Sequence, residues 1–496
     1  MPAQPTSPSP EALQLVQQLQ QQLGARLIET HISWVLLDGQ FAWKIKKPVR
    51  LPFLDFSTLA TRQRLCREEL RLNRRLAPAV YLDVVPISGS AQQPLIHGQG
   101  PAIEYALRMK QFPSGALMAE QLAAGTLRPE HLDKLAQSLA AFHRDAHVAG
   151  PESAGGHPER IEGAVNQVMA GLHQQGCTAE CAALAPWLAA QAEHLRPLWQ
   201  QRLADGHVRE GHGDLHLANV VLLGDEVTAF DCIEFDPALR WGDVITDIAF
   251  LVMDLMAHGR ADLAFRFLNA YLDLSGDHAG LPLLRHALVY RALVRALVAR
   301  LHPRQGDEPA VPDYLALALS LTHPASARLL ITHGLSGSGK SVLTQSLLQQ
   351  AQAIRLRSDI ERQRTAPPGV GRYSPEARQR TYARLRDLAH QALLAGYPVI
   401  VDATFLKAAD RSAFKALALE HQVPFAILHC LAPQEALRQR IGQRLAQGTD
   451  ASEASLSVLE AQQAEQEPLT VPEQAHTLVA DTTSPVDMAD IVRRWA

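Results

Sequence analysis

The chain is poor in aromatic residues, has no cysteine framework and carries no long run of apolar residues. Aromatics make up only 5% of its 496 residues, so leucine and alanine must fill most of its cores. Five cysteines, Cys66, Cys177, Cys181, Cys232 and Cys430, are odd in number and scattered, which argues against a disulfide scaffold. Cys177 and Cys181 stand too far apart for a CxxC redox pair and read as helix residues. The apolar stretch from Ile248 to Met256 contains Asp254 and is too short to cross a bilayer. The opening MPAQPTSPSP is polar and proline-rich, without the basic-then-apolar order of a signal peptide. A net charge of -4 supplies no overall field that would draw in nucleic acid. These absences predict a soluble chain in the reduced cytoplasm, with no membrane partner.

What is present is length and pattern. A chain of this size exceeds one ordinary core and implies two or three domains. Residues 1–10 read as a disordered tail. Glu11 to Leu23 reads as a helix. Ile32, Trp34 and Leu36, then Asp38-Gly39, then Phe41, Trp43 and Ile45 form the pattern of a β-hairpin. Thr61 to Leu76 reads as a helix packed on that sheet, and Val80–Ile87 and Ile103–Met109 as further strands. Beyond Pro113 the pattern turns helical: Leu132, Leu135, Ala136, Leu139, Ala140 and His143 share one stripe. A helical run from Leu283 to Leu321, broken near Pro303 and Pro312, closes this part. Residues 11–324 thus form a small sheet-rich lobe on a larger helical one. From residue 325 to 496, short apolar strands alternate with helices, which predicts a parallel sheet with right-handed crossovers.

Two constellations carry chemistry. The first is Gly211-His212-Gly213-Asp214-Leu215-His216-Leu217-Ala218-Asn219, followed by Asp231. Phosphoryl transfer needs an acid beside the attacking hydroxyl and oxygen ligands for magnesium. Asp214 can take the proton, and Asn219 and Asp231 can hold the metal. The run resembles the HGDxHxxN loop of the aminoglycoside phosphotransferase and choline kinase group, a branch of the protein-kinase-like fold. The resemblance implies Asp214 as base, Asn219 and Asp231 as Mg2+ ligands, and His212 and Asp247 as structural residues. It also calls for a strand lysine and a helix glutamate. Lys44, in Phe41-Ala42-Trp43-Lys44, is the first candidate and Lys46, on the same strand face, the alternative; Glu69 or Glu68 is the partner. Met109 to Pro113 fits the hinge that bonds adenine. No glycine-rich loop precedes Lys44, and Cys232 to Asp236 follow Asp231 in place of Phe-Gly. The short interval from Asp231 to Asp247 leaves no room for a long activation loop, which favours small molecules over proteins as acceptors.

The second is Gly334-Leu335-Ser336-Gly337-Ser338-Gly339-Lys340-Ser341, a complete GxxxxGKS between a strand (Arg328 to Thr332) and a helix (Val342 to Gln350). Its glycines let backbone N–H groups wrap ATP phosphates, Lys340 reaches the outer phosphates, and the Ser341 hydroxyl binds Mg2+. Asp359 can orient or deprotonate an acceptor hydroxyl, with Arg362 holding an acceptor phosphate or the Asp; Asp402 ends an apolar strand at the sheet edge where ligands bind and can touch Mg2+ through water. Arg411 is a candidate for the acceptor, and Arg440 and Arg444 share a helix face as a lid over the phosphoryl group. This set resembles the P-loop kinases grouped around phage polynucleotide kinase, zeta-toxin-like kinases and gluconate kinase. The order of the two parts resembles bacterial proteins that join an aminoglycoside phosphotransferase-like domain to a P-loop ATP-binding domain. The leading expectation is an enzyme with two ATP sites acting on hydroxyls of small molecules. The alternatives are one live P-loop kinase beside a degenerate kinase-like module, or a P-loop domain acting on a nucleotide sugar or a nucleic-acid 5'-hydroxyl.

Overall fold

A computed structural model describes residues 8–51, 54–150, 153, 155–301, 311–323, 326–365, 374–447 and 455–495. Residues 1–7 of the expected tail, the helix break at Pro303 and the junction at 324 and 325 lie outside them. By packing, the chain divides into two units: Met1–Val165 with Arg196–Leu251, and Asn166–Leu195 with Val252–Ala496. The sequence pattern changes at 324/325, whereas the packing groups the helices from Ala261 onward with the parallel sheet. No helix among the described residues is long and apolar enough to cross a membrane.

The chain starts with helix α1 (Pro10–Leu23), capped by the Ser9 hydroxyl, which accepts from the Ala12 N–H at 3.2 Å; Ser9 and Pro10 therefore belong to a helix start. Strands β1 (Arg26–Glu29), β2 (Ser33–Leu37) and β3 (Phe41–Lys46) follow, then the two-residue pair β4 (Arg50–Leu51) and β5 (Leu54–Asp55). Helix α2 (Leu59–Asn73) leads to β6 (Tyr81–Gly89), β7 (Pro94–Ile96) and β8 (Glu104–Lys110). The antiparallel sheet has the order β1-β2-β3-β8-β6-β7. The Asp38 carboxylate makes the β2–β3 turn by accepting from the N–H groups of Gln40 (2.8 Å) and Phe41 (2.6 Å), and Gly39 takes φ +94°. Trp43 and Ile45 pack with Leu15, Val16 and Leu19 of α1. Strand alternation then turns Ala42, Lys44 and Lys46 to the other face.

The helical part contains α3 (Met118–Ala123), α4 (Pro129–Asp145), α5 (Pro158–Gln174) and α6 (Thr178–Ala204). In α4 the expected stripe is buried at Leu132, Leu135, Ala136, Leu139 and His143. Next come β9 (Val208–Glu210), a 3-10 turn at Leu217–Asn219, and the hairpin β10 (Val220–Leu223) and β11 (Glu226–Ala229). Helix α7 (Pro237–Arg240), β12 (Trp241–Asp243) and helices α8 (Val244–Ala257), α9 (Ala261–Ser275), α10 (Leu281–Leu301) and α11 (Tyr314–Leu321) complete it.

The last part runs β13 (Leu329–His333), α12 (Lys340–Ala351), β14 (Ile354–Arg357), α13 (Ser358–Thr365), α14 (Pro375–Leu394), β15 (Val399–Asp402), α15 (Ala408–Glu420), β16 (Phe425–Leu431), α16 (Gln434–Gln447), α17 (Leu456–Glu465), α18 (Val471–Gln474), β17 (Thr477–Asp481) and α19 (Met488–Trp495). Its five strands are all parallel, in the order β14-β15-β13-β16-β17. Leu329 to His333 are buried at its centre, and the loop after β13 opens at the carboxyl edge, where this architecture binds ligands.

Candidate active sites

In the first unit, β3 and α2 bring Lys44, Lys46 and Glu69 together with Asp231 and Glu234. Lys44 Nζ lies 2.7 Å from Glu69 Oε1 and 2.6 Å from Asp231 Oδ1. Lys46 Nζ lies 2.5 Å from Glu69 Oε2 and also pairs with Glu234. Both lysines thus reach Glu69, but they diverge beyond it: Lys44 faces the end of the β10–β11 hairpin, and Lys46 is fully buried. Glu68 turns to Arg71 and Arg240, each 2.8 Å away. Burial opposes the charge of Lys44, yet Asp231 and Glu69 outweigh it and hold its pKa well above the ordinary lysine value. Burial likewise opposes the charge of Glu69, and the two ammonium groups hold its carboxyl below the usual range. For Glu234 burial wins over Lys46 and raises it.

The Asp214 loop is held from beneath. Asp247 Oδ2 accepts from the His212 N–H and Oδ1 from the Gly213 N–H, both at 2.8 Å, and His143 Nε2 stands 3.0 Å from Oδ2. Burial works against its charge, but the His143 bond and these donors push the Asp247 carboxyl well below the usual range. A Cβ at Gly213, which has φ +84°, would meet the Leu239 carbonyl at 2.8 Å, so the backbone can approach this closely only without a side chain. Asn219 donates from Nδ2 to Asp214 Oδ2 (3.0 Å) and to its carbonyl (2.9 Å). The Phe230 N–H donates to the Asn219 carbonyl at 2.9 Å, so the hairpin sets Asn219 and Asp231 at its two ends. Asp231 takes φ +65°, costing about 1 kcal/mol for an L-residue, and its N–H donates to Tyr81 Oη at 3.1 Å. In the expected hinge, the Gln111 N–H donates to the Gln40 carbonyl (3.0 Å) and its side chain accepts from the Gly39 N–H (2.9 Å).

In the second unit, one cavity of about 540 Å³ gathers Ser336, Gly337, Gly339, Lys340, Ser341, Asp359, Arg362, Asp402, Arg440 and Arg444. Gly334 and Ser338 support it from behind: Lys340 Nζ donates to the Gly334 carbonyl (2.9 Å) and the Leu335 carbonyl (2.7 Å) and stands 3.5 Å from Ser338 Oγ. Gly337 takes φ +83°, and a Cβ there would meet the Leu437 carbonyl at 2.8 Å. Burial lowers the Lys340 pKa, against the opposing pull of Asp402. Arg362 donates to Asp359 at 2.6 Å. Arg440 braces the loop, donating to the Gly337 carbonyl (3.2 Å) and to Thr482 Oγ1 and its carbonyl (both 2.8 Å). Thr344 Oγ1 lies 3.1 Å from Asp402 Oδ2.

Arg411 is a correction. It is fully buried and lies outside the cavity. Its guanidinium is spent on the Glu473 carboxylate, at 2.7 and 3.1 Å, and on the carbonyls of Phe405, Leu406, Glu467 and Pro468. It ties α15 to α18 and has no edge left for an acceptor.

Sequence pattern does not single out Glu234 and His143 in the first site, nor Arg357, Arg378, Thr404, Gln462 and Glu465, which line the second cavity with Tyr382. Arg378 and Tyr382 stand four apart on α14, a spacing that places both on one helix face. Gln462 Oε1 accepts from the Ser336 N–H at 2.9 Å across 126 positions, a relationship no local pattern announces.

The comparisons with known proteins give one family match to each site. A model of the "Phosphotransferase enzyme family" matches residues 53–285, and an "AAA domain" model matches 329–469. An uncharacterized protein of Mycobacterium tuberculosis and one of Mycobacterium bovis are each 30% identical over 458 residues, covering 88% of this chain and 90% of theirs. Among solved structures, a putative kinase from Chloroflexus aurantiacus is 23% identical, covering 34% of this chain and 96% of its own at TM-score 0.29. A choline kinase from Cryptosporidium parvum is 10% identical, covering 60% and 86% at TM-score 0.38.

Proposed function

Because the chain belongs to the family that joins an aminoglycoside phosphotransferase-like domain to a P-loop kinase-like domain, we propose that it is an ATP-dependent phosphotransferase with two nucleotide sites, each passing the γ-phosphate to a hydroxyl of a small molecule. The observation that carries the reading is the second cavity, where the phosphate loop, the Asp359–Arg362 pair and Asp402 line one space.

In that cavity the loop N–H groups and Lys340 bind phosphate, and burial leaves Lys340 short of a counter-charge that phosphate supplies. Asp359 takes the proton of the attacking hydroxyl, and Arg362 fixes which carboxylate edge is presented. Arg440 and Arg444 face the transferring group from α16. In the first site, Lys44 binds phosphate and Glu69 orients it, while Asp214, steered by Asn219, takes the acceptor proton.

Oxygen donors dominate both metal positions, as magnesium prefers: Ser341 with Asp402, and Asn219 with Asp231. Asn219 spends its Nδ2 on Asp214, which leaves its amide oxygen for a cation. Magnesium held there would offset charge on the phosphate oxygens. Five buried free thiols suit a reducing cytoplasm.

The test is transfer of label from γ-labelled ATP into a metabolite extract. A magnesium-dependent, low-molecular-weight phosphorylated product that disappears with Asp359→Asn is expected; release of inorganic phosphate alone would refute transfer to an alcohol. The second reading, a single live P-loop kinase beside a nucleotide-binding module, draws on the β1–β2 turn at Thr30 to Ser33, which has no glycine to fold over phosphates. A nucleic-acid acceptor would instead show salt-dependent binding of single strands.

A further inference from the structure

Helix α9 lies inside the stretch matched by the phosphotransferase family model, yet two of its side chains contact strand β14, whose Arg357 lines the P-loop cavity. Asn269 is 2% exposed. Its Nδ2 donates to the Ala353 carbonyl at 2.9 Å, and its Oδ1 accepts from the Arg355 N–H at 2.6 Å. It thereby satisfies the outer edge of β14, the edge strand of the parallel sheet. One helical turn on, Asp273 Oδ2 lies 3.6 Å from the Arg355 guanidinium and 4.0 Å from that of Arg357. Its carbonyl accepts from Arg364 of α13.

Arg355 carries this contact inward. It is 6% exposed, and its Nη1 lies 3.3 Å from the Ser341 carbonyl and 3.5 Å from Thr344 Oγ1. Thr344 Oγ1 in turn lies 3.1 Å from Asp402 Oδ2. Arg357 lines the cavity itself, and Arg364 belongs to the helix that bears Asp359 and Arg362. One carboxylate residue of α9 therefore touches both sides of the site: the Ser341–Asp402 side through Arg355, and the Asp359–Arg362 side through Arg364.

We propose that Asp273 and Asn269 are positioning residues of the P-loop site, and that the phosphotransferase-like stretch of the chain sets the magnesium and nucleotide affinity of the P-loop kinase through α9. The inference rests on the P-loop reading above. Its physical basis is charge. Asp273 is the carboxylate that holds Arg355 away from Asp402. Without that charge, the buried guanidinium turns its attraction on Asp402, and a divalent cation must compete with it. Asn269 fixes the backbone from which Arg355 projects, so the arginine enters at one height. A P-loop segment cut at residue 325 would lose both residues and leave the β14 edge bare.

The experiment uses the full chain and a fluorescent ATP analogue, titrated at rising magnesium, with thermal melting followed in parallel. The signal that Lys340→Ala abolishes is the P-loop signal. Asp273→Asn is expected to raise the magnesium needed for half-maximal binding by roughly 3- to 10-fold, while Asp273→Glu, which keeps the charge, restores most of it. A purely structural role would lower the melting temperature and leave the magnesium requirement where it was. Should Asp273→Asn fail to fold, Asn269→Ser, which frees the backbone from which Arg355 projects, carries the same expectation. A wild-type magnesium requirement in the folded variants overturns the inference while the P-loop reading stands. If Lys340→Ala binds the analogue as the wild type does, both fall.

Discussion

Lys44 and Asp231 stand 187 positions apart in the chain and 2.6 Å apart in space. The ion pair closes the first site with the very groups that phosphate and magnesium would separate. Lys46, two residues on, makes no contact with Asp231 and instead sits between Glu69 and Glu234. The two lysines therefore fail differently. Lys44→Ala should lower nucleotide affinity at the first site at least tenfold with little loss of stability. Lys46→Ala strands Glu234 in the interior and should cost roughly 3 kcal/mol. Nucleotide titration and denaturant unfolding on the pair check this; the reverse pattern would exchange their roles.

Asp247 makes stability sensitive to acid. Its carboxyl lies below its unfolded value, so its contribution is full above the unfolded pKa and is lost as pH falls through the folded one. Asp247→Asn should therefore lower the melting temperature at neutral pH, by an amount that shrinks toward strongly acid pH. The loss of a buried partner of His143 and two loop N–H groups is worth roughly 3 kcal/mol. Melting curves from pH 7 downward would show the two proteins converging.

Arg411 offers the opposite kind of test. Its ties to Glu473 and four carbonyls predict that Arg411→Met destabilises the protein by about 3 kcal/mol and leaves the KM for the acceptor unchanged where the variant remains folded. A raised acceptor KM without loss of stability would return Arg411 to the substrate.

Lys340 predicts a pH dependence of binding. Burial lowers its pKa, so its charged form, the one that attracts phosphate, is lost at lower pH than for an ordinary lysine. Nucleotide affinity at the P-loop should weaken as pH rises through that value, and Lys340→Arg should flatten the profile. Isothermal titration across alkaline pH reads the effect directly.

What the sequence makes legible follows the distance between interacting residues. GLSGSGKS and the His212-to-Asn219 run are contiguous, so both loops can be located from the chain. The Asp38-Gly39 turn and the alternation of Trp34, Leu36, Trp43 and Ile45 likewise specify a hairpin. Lys44 and Lys46 cannot be told apart this way, because they share a face and both reach Glu69; only Asp231 and Glu234, far along the chain, separate them. Arg411 looks like a ligand residue until Glu473, 62 positions on, is brought beside it. Strand β14 reads Ile354-Arg355-Leu356-Arg357, and its arginines hide a buried strand whose charge is met by Asp273, from a helix assigned by pattern to the preceding domain.

The most direct measurement of the central claim is transfer of labelled γ-phosphate into a metabolite extract by the wild type, Asp214→Asn, Lys340→Ala and the double variant. The account predicts that each single variant loses a different phosphorylated product and that the double variant loses both. If only Lys340→Ala loses a product and Asp214→Asn matches the wild type, the claim of two working phosphotransferase sites is contradicted.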